Sequence, residues 1–373
     1  MTRRAYVHRI ATQAPDDVSV LEAAIEAGDI DPGAIVAIVG KTEGNGCVND
    51  FTRSLASRAL KDALRPYQRA DGDRIVSIVM SGGTEGGLAP HFIVFEAREV
   101  NEQAEPNALA IGRARTPHLL SENIGRLAQV DCVTQGVHAA MRDAGMVRAA
   151  DVHFVQIKCP LLTADRIAEA EMRDVQVATR DTLKSMGLSR AASALGVAVA
   201  LGEADPALLT DGSIGRDWSI YSSRASASAG IELTDHEIVV LGVAQGWSGP
   251  LRIEHCVMQD SIDIEPVRAA LASLGLKAAG QLAAQDRTRM IALLAKAEAS
   301  ASGSLRGYRH TMLNDSDISS TRHARAFVAG ALASLVGHAE IYVSGGAEHQ
   351  GPDGGGPVAI IATCDPPREV VHS

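Results

Sequence analysis

The chain is poor in aromatic residues, which make up 3% of its 373 residues. Its cores must therefore be aliphatic and alanine-rich, and with 46% hydrophobic residues burial is not limiting. It also lacks positive charge: the net charge of -10 leaves no clustered Lys and Arg surface of the kind that holds phosphates, so nucleic acid is excluded as a partner. Its five cysteines, at 47, 132, 159, 256 and 364, form no CxxC pair. An odd, scattered set reads as reduced thiols in a cytoplasmic protein. The basic Thr2-Arg-Arg4 has no apolar run behind it, so no signal peptide is expected. The longest apolar run, around 194–201, is far too short to span a membrane. No pair of the twelve histidines has the HExxH spacing of a catalytic zinc site.

What the chain does have is one pattern three times. Ser81-Gly-Gly-Thr-Glu85, Ser228-Ala-Gly-Ile-Glu232 and Ser344-Gly-Gly-Ala-Glu348 all read Ser-small-Gly-x-Glu. Each copy follows a Thr/Ser-Arg pair that opens an alanine-rich helical pattern: Thr52-Arg53, Ser189-Arg190 and Thr321-Arg322. Each pair follows a lysine: Lys41, Lys158 and Lys296. The order Lys, Arg, Ser thus recurs at a spacing too long for a solenoid and suited to three copies of one domain. Composition breaks at the polar stretch 99–107 and at 246–250 divide the chain into 1–105, 106–250 and 251–373.

Each third mixes strands and helices, which predicts an α/β protein of three similar units. Short apolar runs predict strands over 34–39, 75–80, 91–96, 152–157, 237–244, 341–343 and 358–362. Periodic patterns predict helices over 52–64, 124–144, 164–179, 190–202, 264–274, 281–299 and 321–336. Lys41 and Lys158 then stand at strand ends, whereas Lys296 falls near a helix end. Gly-Lys-Thr at 40–42 lacks the spacing of a phosphate loop.

Taken singly, Ser-Gly-Gly at a strand end is a turn, a lysine there is solvated, and Thr or Ser before Arg is a helix cap. Triplication favours a site instead. Three units packed about a pseudo-threefold axis would bring their loops together at the centre. Three serines, three lysines, three arginines and nearby glycine amides would make a donor-rich pocket for a small, flat, oxygen-bearing ligand. The amides could serve as an oxyanion hole. A serine nucleophile needs a base; no histidine shares the threefold pattern, but a lysine does. It must be neutral, which takes a depression of about three units from ~10.4, on the order of 4 kcal/mol. Burial and neighbouring cations act in that direction.

The stretches 39–50, 80–86, 154–162, 226–232 and 343–352, which span nearly the whole chain, are similar to the cyanuric acid amidohydrolase/barbiturase family. The resemblance implies three homologous α/β units around a threefold axis, a central active site and a homotetramer. It implies hydrolytic opening of the s-triazine trione ring to carboxybiuret. It makes Ser228 and Lys158 the catalytic dyad. The ring oxygens would be held by Arg53, Arg190 and Arg322 with Ser81-Gly82, Ser228-Ala229 and Ser344-Gly345; Lys41 and Lys296 complete the set. A structural Mg2+ or Ca2+ would be held by Glu298, Ala347, Gln350, Gly351, Pro352 and Gly355, an oxygen-only set that suits a hard cation. No organic cofactor is implied. Barbituric acid is the alternative substrate, and a non-catalytic binder of planar anions is the alternative of another class.

One reading from the residues alone singles out the second set. Glu43 and Glu298 each follow a lysine by two residues and would keep Lys41 and Lys296 charged, whereas Lys158 has no such neighbour and is expected to be the most easily neutralised.

Overall fold

A computed structural model describes residues 1–67 and 76–364; Ile75, at the start of one expected strand, lies outside them. The first unit is built from β1 (Thr2–Ala11), α1 (Ser19–Glu26), β2 (Ile35–Thr42), α2 (Phe51–Leu64), β3 (Ser77–Gly82) and β4 (His91–Val100). The second has β5 (Leu109–Arg115), α3 (Leu127–Ala144), β6 (Val152–Pro160), α4 (Ala164–Met172), α5 (Thr182–Ala200), β7 (Ala225–Gly230) and β8 (Glu237–Val243). The short β9 (Trp247–Ser248) leads to the third. That unit has β10 (Leu251–Met258), α6 (Glu265–Ser273), α7 (Ala284–Arg289), β11 (Met290–Ala297), the hairpin β12 (Ser304–Leu305) and β13 (Tyr308–Arg309), α8 (Ser320–Val336), β14 (Tyr342–Gly345) and β15 (Gly356–Thr363).

The three sheets have one topology: β3-β2-β4-β1, β7-β6-β8-β5 and β14-β11-β15-β10. Counted in chain order within each unit, the second and third strands run parallel, and the fourth lies antiparallel to the first and second. The strands are near-continuous apolar runs because both faces are covered. One face of each sheet turns to a shared central core that includes Val39 and Val79, Phe154 and Val239, and Leu294 and Tyr342. The other face packs under that unit's own helices, as Leu21, Leu60 and Met80 do in the first unit and Val328, Leu332 and Val343 in the third.

Seams between units are stitched by backbone and by the scarce aromatics. β9 pairs in parallel with Arg3 and Arg4 of the first sheet. Trp247 donates its indole N–H to Ala144 O at 2.8 Å and lies under the Arg3 guanidinium.

Two expectations need correction. Residues 290–297 are not helical: after the short α7, Met290-Ile-Ala-Leu-Leu-Ala-Lys-Ala297 is strand β11. Leu and Ala favour helix locally, but pairing with β14 on one side and β15 on the other overrides that weak preference. Lys296 therefore stands at a strand end like Lys41 and Lys158. Arg190 also does not open a helix. The Asp181 side chain caps α5 by accepting from Lys184 N, so α5 begins at Thr182 and Arg190 lies mid-helix. β1 and α1 were missed because the polar-rich 2–11 carries no apolar run.

Candidate active site

Each lysine and each serine of the repeat are register partners on a parallel strand pair: Lys41 with Ser81, Lys158 with Ser228, and Lys296 with Ser344. Both residues of a pair thus point to the same face, and in all three units that face is the shared centre. All six side chains are buried. The serine hydroxyls meet there, with Ser81 Oγ 3.1 Å from Ser344 Oγ and Ser228 Oγ 3.3 Å from Ser344 Oγ. Lys41 Nζ donates to Ser81 Oγ at 3.2 Å, and Lys296 Nζ to Ser344 Oγ at 3.3 Å.

The lysines also reach across seams. Lys158 Nζ donates to Met80 O at 2.8 Å, just before Ser81, and Lys296 Nζ to Ala227 O at 3.0 Å, just before Ser228. Lys158 differs from the other two in its second partner, the Glu232 carboxylate at 2.8 Å.

The glutamates of the motif are the residues whose role the sequence did not reveal. Each holds basic groups, and the grip runs around the ring of units. Glu85 of the first unit accepts from Arg322 Nε at 2.9 Å and from Arg325 Nε and Nη2 at 2.6 Å each. Glu348 of the third unit accepts from Arg190 Nε at 2.9 Å and Nη2 at 2.6 Å. Arg53 of the first unit turns to the second, donating to Ala229 O at 3.0 Å, with Cys47 O at 2.6 Å as its other partner. The pocket is consequently rich in acceptors as well as donors, not the mainly cationic pocket expected. Two glycines make room for these grips. Gly83 and Gly346 have φ of 103° and 79°, and a Cβ on either would lie within 2.6 Å of a guanidinium atom, of Arg325 or Arg190 respectively.

Burial is the largest influence on all three lysines. Lys41 is pushed well below the ordinary lysine value by burial and then by Arg325. Lys296 is pushed down to about 7 by burial and then by Arg190. Lys158 is lowered by burial, with Glu232 working in the opposite direction. For Glu232 burial is the largest influence and raises it, but Lys158, with Arg53 and a backbone N–H, together bring it down to about 2. The expected pairing is thus reversed: Lys158 is the lysine with a carboxylate in direct contact, Glu43 is exposed, and Glu298 bonds backbone N–H groups. Sequence adjacency misled because the decisive glutamate lies on the turn after the partner strand.

Two further residues were missed. Arg325, one helical turn after Arg322, is buried in the first unit's glycine loop; its spacing from Arg322 was the available signal. Tyr342, two residues before Ser344 on β14, shares its face. Its buried phenol faces all three serine hydroxyls, close enough for them to ease its ionisation while burial raises its pKa, yet it closes no hydrogen bond. The equivalent positions carry Val79 and Ser226, so Tyr342 breaks the threefold pattern under the serines.

An open cleft of about 640 Å³ lies beside this centre, lined by all three units, including Cys47, Arg190, Arg322, Gly345 and Glu348. Beside it lies the loop after Ser344. Glu298 is buried, and its carboxylate accepts from Ala299 N at 3.0 Å and Ala347 N at 3.2 Å. Burial and the nearby Glu348 raise it to about 7. Ala347 O and Pro352 O face into tight turns, accepting from Gln350 N and Gly355 N at 2.9 Å. The Gln350 side chain is already committed, with Oε1 accepting from Ala227 N at 2.7 Å, so only its backbone carbonyl could serve a cation. An uncompensated carboxylate among backbone carbonyls fits a hard cation.

The sequence matches the family described as "Amidohydrolase ring-opening protein" over residues 6–363. It is 63% identical to the cyanuric acid amidohydrolase of Bradyrhizobium sp. (strain ORS 375), over 96% of this chain and 98% of that protein. It is 61% identical to that of Azorhizobium caulinodans, with the same coverage. The fold superposes on a crystal structure of cyanuric acid hydrolase from A. caulinodans with a TM-score of 0.90 at 60% identity, covering 98% of this chain and all of that one. A second cyanuric acid hydrolase structure, described as arising by structural concatenation, gives 0.92 at 48% identity, with 98% and 100% covered. A threefold-repeated α/β fold, a central cluster of lysine–serine pairs and a match along nearly its whole length place this chain in the family of ring-opening amidohydrolases.

Proposed function

We propose that this protein hydrolyses cyanuric acid to carboxybiuret, with Ser228 as nucleophile and Lys158 as its base. The observation that carries the reading is the convergence of three lysine–serine register pairs, with serine hydroxyls 3.1 and 3.3 Å apart. A planar ring with three equivalent carbonyls is the ligand this threefold set of donors suits. Ser228 Oγ attacks one carbonyl carbon as its proton passes to Lys158. The ring C–N bond then breaks, Lys158 returns the proton to the leaving nitrogen, and water releases the acyl group from Ser228. The remaining serines, Lys41 and Lys296 hold the other two carbonyl oxygens, while Arg53, Arg190 and Arg322 steady the walls. Glu232 orients Lys158 and stabilises the ammonium formed on proton uptake, as the third member of a triad does.

A second assignment is favoured by a separate observation. Lys41 is pushed well below the ordinary value and already hydrogen-bonds Ser81 at 3.2 Å, so Ser81–Lys41 is the competing dyad. Trapping the acyl-enzyme and mapping the modified serine by mass spectrometry separates the two. Incubation with cyanuric acid and with barbituric acid, following ring loss, tests the activity. Loss of neither ring would leave only a binder of planar anions.

A hard cation, Mg2+ or Ca2+, would be held by Glu298 and the carbonyls of Ala347, Gln350, Gly351, Pro352 and Gly355. When bound it would neutralise the buried carboxylate. The loop it would fix carries Glu348, which grips Arg190, and Gln350, which grips the strand of Ser228. We also propose a homotetramer in the cytoplasm. The tetramer rests on the family resemblance, and light scattering at four times 39.0 kDa tests it. Five free thiols suit a reducing compartment.

A further inference from the structure

Each of the three sheets has a β-bulge in its second strand, opposite the fourth. The bulged residues are Val36, His153 and Ile291. A bulge leaves its residue unpaired and re-aims the side chain. Two of the three are apolar, as a structural repeat needs. The second is a histidine, and it faces the seam with the third unit. There His153 Nδ1 lies 3.0 Å from Nδ1 of His255 on β10. The rings meet edge to face, with centroids 4.9 Å apart. The Glu254 carboxylate completes the group: its Oε1 is 3.5 Å from His153 Nδ1 and 3.8 Å from His255 Nδ1. That oxygen is folded back along the strand by accepting from His255 N at 2.9 Å.

These three distances define a triangle whose corners are all about 2.0 Å from one common point, the bond length of zinc to imidazole nitrogen and carboxylate oxygen. We propose that His153, Glu254 and His255 form a site for a divalent transition-metal ion of the zinc class, clamping the second unit to the third. Two nitrogens and one oxygen select such an ion over Mg2+ or Ca2+, which want oxygen. Both imidazoles are held neutral by burial, His255 at about 4, so both can ligate near pH 7. One Nδ1–H bridges the pair without metal; on binding, that ring takes the other neutral tautomer, with its proton on Nε2, so both ligands stay neutral imidazoles. The neighbouring Arg224 is engaged by Glu203 at 3.2 Å and by backbone carbonyls, so its charge is partly neutralised. All three ligands are partly exposed, leaving an entry path and open positions for water. The site lies five residues before Lys158 on β6, about 16 Å along the strand, so it is separate from the catalytic centre.

Untagged protein, stripped by chelator and dialysed, would be titrated with Zn2+ and separately with Mg2+ by calorimetry. The expected result is one Zn2+ per chain, undisturbed by excess Mg2+ and retained in Glu298→Gln. Affinity should fall at least about tenfold in His153→Asn, His255→Asn and Glu254→Gln, with ring-opening turnover by these variants unchanged. X-ray absorption on the zinc-loaded wild type should show two imidazoles at about 2.0 Å, whether or not a variant folds. Unaltered zinc affinity in His153→Asn/His255→Asn, a zinc shell without two imidazoles, or no zinc bound by the wild type overturns the proposal.

Discussion

Lys158 Nζ sits 2.8 Å from Glu232 Oε1, the only direct ion pair made by any of the three central lysines among the described residues. Glu232 favours the ammonium, so removing its charge lowers the Lys158 pKa. A base works when neutral, so kcat/KM should rise with pH through that pKa. Glu232→Gln should therefore move the rising limb to lower pH by about one unit or more. An unmoved limb would assign the base to Lys41.

Serine substitutions should separate attack from binding. Ser228→Ala should lower kcat by at least about 10⁴-fold while cyanuric acid still binds. Ser81→Ala and Ser344→Ala should raise KM or slow turnover without abolishing the acyl-enzyme. Intact-mass measurement after rapid quench reads the difference, and an adduct persisting in Ser228→Ala would sink the assignment.

The pair Arg190–Glu348 is largely buried, with 11% and 16% side-chain exposure. Removing one partner strands the other charge, at a cost of about 3 kcal/mol. Glu348→Gln should lower the denaturation midpoint accordingly. Gly346→Ala should act on the same grip by a different route, since its Cβ would lie 2.5 Å from Arg190 Cζ. Urea melts and KM for both variants check this.

Tyr342→Phe removes a buried hydroxyl that closes no hydrogen bond. The melting temperature should hold or rise, because no buried partner is abandoned. If the phenol orders the serine hydroxyls, kcat should fall about tenfold, or ~1.4 kcal/mol. An unchanged kcat would make Tyr342 core packing alone.

Chelation followed by dialysis should lower the melting temperature if a cation sits at Glu298. Readdition of Mg2+ or Ca2+ should restore it, and neither ion should raise the melting temperature of stripped Glu298→Gln. Elemental analysis before and after stripping fixes the stoichiometry.

Much of the centre was legible because repetition converts weak signals into a strong one. Lys41, Lys158 and Lys296 each precede a serine by a strand–helix–strand length, and the parallel register places them side by side. Misreadings occurred where tertiary contacts outrank local preference. The Leu- and Ala-rich 290–297 became a strand between two strands, and Asp181 started α5 well ahead of Arg190. Glu85 and Glu348 of the motif were visible but mute, since their partners Arg322, Arg325 and Arg190 lie in other units. The zinc-class cluster had no sequence signature at all: His153 and His255 meet only across a seam.

The three corners of the centre are alike in residue type but not in environment, because only Lys158 touches a carboxylate. Cyanuric acid cannot register that difference, since any of its three seatings would present the same bond to the proposed nucleophile, Ser228. The degeneracy favours it by RT ln 3, about 0.6 kcal/mol, over a ring with a single productive orientation. A ring carrying one N-methyl group loses that equivalence. The bond at which it opens would then report, through the position of the methyl group in the linear product, how the ring is seated against the attacking serine.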